Sequence, residues 1–102
     1  MIEICNLRKE KPTNLWDFRV DRFSALGNPF KADSERQRDF VCQRYEGWFS
    51  KVSENNADVV AYLEQILAAH QKYGKIRLFC WCTPKRCHAE TIKRYLEEKI
   101  GC

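Results

Sequence analysis

The chain has 102 residues, enough for one domain and too few for two, and a 44% hydrophobic share excludes a disordered polypeptide. Eighteen Lys and Arg against 14 Asp and Glu leave a mildly basic +4, compatible with phosphate-bearing ligands without establishing nucleic-acid binding. Six cysteines are too few for a disulfide-dense secreted scaffold of this length.

The opening MIEICNLRKEKP is charged and lacks an apolar signal core, and the best apolar run, VVAYL, stops at Glu64. The expected setting is therefore the cytoplasm, away from membranes, where thiols stay reduced. Clustered cysteines there call for a chemical reading.

Residues 2–7 alternate weakly and predict a short strand. Pro12 and Asn14 break the pattern, and residues 15–20 read as a short strand or an ordered loop. A turn-rich segment built on Gly27-Asn28-Pro29 follows. Asp33 or Ser34 is suited to cap a helix whose apolar stripe is Val41, Tyr45, Trp48, Phe49 and Val52. SENNAD separates it from a second helix, with Asp58 as its cap, Val59, Leu63, Ile66, Leu67 and His70 on one side, and Gly74 as its stop. The helix dipole favours the imidazolium form of His70. Residues 76–82, rich in β-formers, read as a strand. A last helix begins at Cys87 or His88, with Ile92, Tyr95, Leu96 and Ile100 facing inward.

Strands separated by helices predict a single α/β domain over residues 1–102, with a small, mainly parallel sheet and packed helices. The ligand crevice of such a sheet lies at the C-terminal ends of its strands.

The densest chemical signal is Cys80-Trp81-Cys82-Thr83-Pro84-Lys85-Arg86-Cys87-His88. In a strand Cys80 and Cys82 share one face, with Trp81 on the other. Cys87 and His88 open the next helix, where unsatisfied N–H groups and the dipole favour a thiolate and attract phosphate. Lys85 and Arg86 add positive charge.

Three readings stand. Cys80, Cys82, Cys87 and His88 total the four ligands of a Cys₃His zinc site, although C-x-C-x4-C-H is not the usual C-x2-C spacing. Alternatively, Cys87 or Cys82 is a nucleophile in a ligand pocket, with His88 as its base or orienter. Or the cysteines are small core residues and His88 caps the helix, a reading favoured for Cys80 alone. No cofactor is expected beyond a zinc ion.

In the loop, Gly27 permits a positive φ or a close backbone approach. Asn28 either bonds a ligand or closes an Asx turn. Arg22 precedes this loop; most of the other arginines of the first half read as solvated charge. Trp16, Trp81 and Phe23 offer base-stacking surface or core.

Taken together, Asn6 after the first strand, R-x4-GNPF from Arg22 to Phe30, the Arg36, Tyr45 and Trp48 helix, and LFCWCTPKRCH resemble the family called domain of unknown function 4326, common in bacteriophage and bacterial genomes. The resemblance spans residues 2 to 97. It departs at Ala89-Glu90, where members commonly carry Gly-Asp. A fainter likeness runs to domain of unknown function 488, which also has a Cys-His opening a helix. The resemblance brings no established reaction. It implies Asn6, Arg22, Gly27, Asn28, Cys82, Cys87 and His88 as pocket residues.

The resulting expectation is a pocket with Cys87 as thiolate, His88 as acid or base and Asn28 as orienter. Its ligand is phosphorylated, nucleotide-like or derived from nucleic acid, held by Asn6, Arg22, Gly27, Cys82, Lys85 and Arg86. The alternative is a non-enzymatic zinc-binding or interaction module acting on a phage or host partner.

Overall fold

The computed structural model describes residues 2–30, 34–81 and 87–101. Three strands, β1 (Ile2–Asn6), β2 (Asp17–Arg19) and β3 (Ile76–Cys80), form one sheet in the order β1-β3-β2, and both pairings are parallel. The β-forming run Ile-Arg-Leu-Phe-Cys takes the central position, where both edges of its backbone are paired. Three helices follow the expected pattern: α1 (Arg38–Asn55), α2 (Ala57–Tyr73) and α3 (Ala89–Ile100).

The two faces of the sheet differ in chemistry. Ile2, Ile76, Leu78 and Cys80 join Tyr45 and Phe49 of α1, Val59, Leu63 and Ile66 of α2, and Ile92 and Leu96 of α3 in one apolar core. The alternate positions bring Glu3, Arg77 and Asp17 into register across the strands. Arg77 bonds Asp17 through Nε at 2.8 Å and Nη2 at 3.0 Å, and Glu10 through Nη1 at 2.6 Å. The connection from β1 to β2 is thereby fastened to the strand it must cross.

Thr13 and Asn14 each donate a backbone N–H to Asp17 at 2.9 Å. Burial opposes the charge on Asp17, but the guanidinium and these N–H groups outweigh it and hold the carboxyl at about 2 instead of 3.8. A folded pKa below the unfolded one stabilises the fold above the unfolded value. That stabilisation, about 2 kcal/mol, is present above pH ~4 and lost as pH falls towards 2. Urea midpoints of wild type and Asp17→Asn between pH 2 and 6 should therefore converge at the acid end. Parallel curves would contradict this role.

Several boundaries differ from expectation. Ser34 is the N-cap of a short 3-10 turn, Glu35–Gln37, and makes no side-chain cap bond; α1 starts only at Arg38. Asp33 lies outside the described residues. The break between α1 and α2 is Asn56 alone, and Asn56, not Asp58, is the cap: its Oδ1 accepts the N–H groups of Asp58 and Val59 at 3.0 and 3.1 Å. Asn56 prevails because it sits two residues before Asp58, at the position where the orphan N–H groups converge. Gly74 ends α2 with φ 74°. His70 has its pKa lowered, since partial burial disfavours imidazolium, contrary to the dipole argument. Ile100, in the last turn of α3, is exposed rather than inward.

Candidate active site

The strand ends deliver their loops to one place. After β2 the chain turns at residues 21–27, with Ser24 N–H bonded to the Asp21 carbonyl at 3.0 Å and Gly27 N–H to that of Ser24 at 3.1 Å. After β3 comes Trp81, whose Nε1–H donates to Asp21 Oδ2 at 3.0 Å. Asp21, only 3% exposed, also accepts from Arg19. Burial works against its charge, but the Arg19 and Trp81 bonds prevail and lower its pKa.

Gly27 shows why this loop is tight. A Cβ there would lie 2.5 Å from Arg22 Cα and 2.6 Å from the Asp21 carbonyl oxygen, both backbone atoms. Its φ is not positive; among the described residues that conformation belongs to Gly74 alone. The glycine is needed for the chain to approach itself. Gly27→Ala should cost about 1–3 kcal/mol by overpacking, read as a lower urea midpoint. An unchanged midpoint would show that the loop opens freely.

A cavity of about 380 Å³ lies beside this loop. Its lining includes Arg22 and Asn28 of the loop, Arg38 and Cys42 of α1, Trp81, and the Cys87-His88 pair. Asn28 and Cys87, distant in sequence, thus meet at the C-terminal end of the sheet. Cys87 and His88 are 3% and 9% exposed, whereas Arg22 is open to solvent, so the cavity runs from a cationic rim to a buried pair.

The geometry of that pair fixes its proton arrangement. His88 Nε2 is hydrogen-bonded to the Val20 carbonyl, which only accepts, so Nε2 carries hydrogen. In the neutral ring Nδ1 then presents its lone pair, and Cys87 Sγ lies 3.6 Å away. A thiol, an imidazole and an orienting acceptor stand in sequence, the arrangement that activates a sulfur nucleophile. Tyr45 packs its ring 5.0 Å from that of His88 and donates its hydroxyl to the Leu26 carbonyl at 2.7 Å, tying the loop to α1.

The last helix starts where expected, within two residues of Cys87, with His88 as its N-cap. α3 begins at Ala89, and the Cys87 N–H donates to Glu90 Oε2 at 3.0 Å, so this N–H of the helix start is already bonded to a carboxylate.

Other predicted residues stand elsewhere. Asn6 Oδ1 accepts the Arg8 N–H at 2.8 Å and its Nδ2 donates to the Trp81 carbonyl at 3.4 Å, binding the ends of β1 and β3 together. Neither Asn6 nor Gly27 lines the cavity. Asn28 closes an Asx turn on the Phe30 N–H at 2.9 Å while still lining it. Cys80, with no exposure, belongs to the core. Cys82, Lys85 and Arg86 lie outside the described residues. Among the described residues no group of three or more metal-ligating side chains stands together.

Arg38 and Cys42 were not anticipated. Their spacing of four, continuing to Tyr45, puts them on one face of α1, a signal present in the sequence but masked by the apolar stripe.

No curated protein and no solved structure matches the chain. A family model, "Domain of unknown function (DUF4326)", matches residues 5–98, nearly the whole length, with the turn, the cavity and the Cys-His pair inside it. The chain belongs to the DUF4326 family.

Proposed function

We propose that the cavity takes a phosphorylated, nucleotide-like ligand and that Cys87 acts on it as a thiolate nucleophile with His88 as its base. The observation that carries this reading is the 3.6 Å contact from Cys87 Sγ to His88 Nδ1, with the imidazole held by Val20, inside a cavity of ligand size. His88 Nδ1 takes the thiol proton, and Nε2–H stays on the Val20 carbonyl. The thiolate forms a bond to an electrophilic carbon of the ligand as that carbon releases its leaving group, which departs with the bonding electron pair and the proton from Nδ1. Water then cleaves the thioester intermediate, its hydroxyl going to carbon and its remaining hydrogen to sulfur.

The charge balance favours phosphate at the rim. Asp21 is matched by Arg19, and Arg38 by Glu35 at 2.9 Å. Arg22 has no ion-pair partner among the described residues and is the cation left for a ligand. Phe23 and Trp81, 86% and 47% exposed, offer faces for a base, and the Asn28 amide orients the ligand. A reducing cytoplasm, bacterial or phage-infected, suits a working thiol.

Titration calorimetry with nucleoside monophosphates and the matching nucleosides tests the ligand class. Arg22→Gln should weaken the monophosphates roughly tenfold and leave nucleosides unchanged. Equal effects on both, or no binding of either, would contradict the proposal. Elemental analysis of protein purified without added metal should find no zinc. One zinc per chain would replace this reading with the Cys₃His site.

A further inference from the structure

We propose that Cys42 is the resolving thiol for Cys87, so that the cavity also supports a two-electron thiol–disulfide reaction with a hydroperoxide. The inference rests on the reading of Cys87 as an activated thiol and adds a second reacting group to it.

Cys42 and Cys87 line the same cavity, one from α1 and the other ahead of α3. Both are otherwise buried, at 6% and 3% exposure, so the cavity is their route to a reagent. Each thiol neighbours one member of a ring pair, Tyr45 and His88. Cys42 and Tyr45 lie three residues apart on α1 and are therefore neighbours on one helix face. The Tyr45 ring is 5.0 Å from that of His88, and His88 Nδ1 is 3.6 Å from the Cys87 sulfur. Burial raises the Tyr45 hydroxyl pKa, and the neighbouring Cys87 raises it further, which agrees with the closeness of Tyr45 to Cys87.

The chemistry balances as follows. The Cys87 thiolate attacks the terminal oxygen of the hydroperoxide. An S–O bond forms, the O–O bond breaks, and the departing alkoxide takes the proton held at His88 Nδ1, leaving as an alcohol. The Cys42 sulfur then attacks the sulfenic sulfur. An S–S bond forms, the S–O bond breaks, and hydroxide leaves as water with the Cys42 proton. Two thiols are oxidised and one hydroperoxide is reduced.

The test is treatment of the fully reduced chain with one equivalent of hydrogen peroxide, followed by intact-mass and peptide mass spectrometry. Wild type should lose two hydrogens and give a crosslinked peptide containing Cys42 and Cys87. Cys42→Ser should instead stop at one added oxygen on Cys87, captured by a sulfenic-acid reagent, and Cys42→Ala should repeat that result. Crosslinking of Cys87 to Cys82 or Cys80 in wild type would overturn the assignment. So would sulfinic acid at Cys87 forming as fast in wild type as in Cys42→Ser. Iodoacetamide reactivity of Cys87, measured in parallel, separates the two readings. A fast Cys87 that never crosslinks to Cys42 removes this inference alone, whereas a slow Cys87 removes the parent reading as well.

Discussion

Arg77→Met should destabilise the fold by about 3 kcal/mol, the cost of leaving a buried carboxylate without its partner. The Asp17 side chain has no exposure, and Arg77 supplies two of its bonds. Removing the cation strands that charge against β3, with only the Thr13, Asn14 and neighbouring donors remaining. It also frees Glu10 and so loosens the connection that carries the chain across the sheet. Asp17→Asn in the Arg77→Met background should recover part of the loss, because the stranded charge is gone. Urea unfolding of the two single variants and the double variant measures the coupling. Additive losses would mean that the pair stands independently of the buried charge.

The second large effect concerns reactivity. Limited iodoacetamide at pH 7 should modify Cys87 first, and Cys87→Ser should remove the fast phase, slowing the total reaction by at least roughly tenfold. Cys5 supplies the contrast. Burial, with the Glu3 charge adding to it, pushes its thiol up to about 11. At pH 7 its thiolate fraction is on the order of one in ten thousand. Cys80 has no surface at all. Cys87 opens on the cavity and has an imidazole nitrogen to take its proton. Fast labelling at Cys5 or Cys80 would contradict the placement of these thiols.

How much of this was legible in the sequence depends on the distance over which the determining contacts act. The parallel pairing of β1 with β3 followed from β-formers separated by helices, and the stop at Gly74 from local backbone preference. The meeting of Asn28 with Cys87 followed from the rule that a parallel sheet gathers its loops at one end. Residues 15–20 were ambiguous because the three-residue strand β2 owes its conformation to the partner it finds on the far side of β3. The Arg77–Asp17–Glu10 cluster joins residues far apart in the chain and leaves no local pattern. The Val20 carbonyl that orients His88 is a backbone atom, and no residue type announces it. The bond of Glu90 to the Cys87 N–H depends on where the helix begins, to within a residue.

The pairing of Cys87 with His88 is tested most directly by the pH profile of Cys87 alkylation, followed by peptide mass spectrometry in wild type and His88→Gln. A thiolate that shares its proton with Nδ1 should give wild type a midpoint below the ~8.5 of an ordinary cysteine. In His88→Gln the midpoint should rise to ~8.5 or above, and the rate at pH 7 should fall roughly tenfold. A wild-type midpoint at or above ~8.5, unmoved by His88→Gln, would contradict the site.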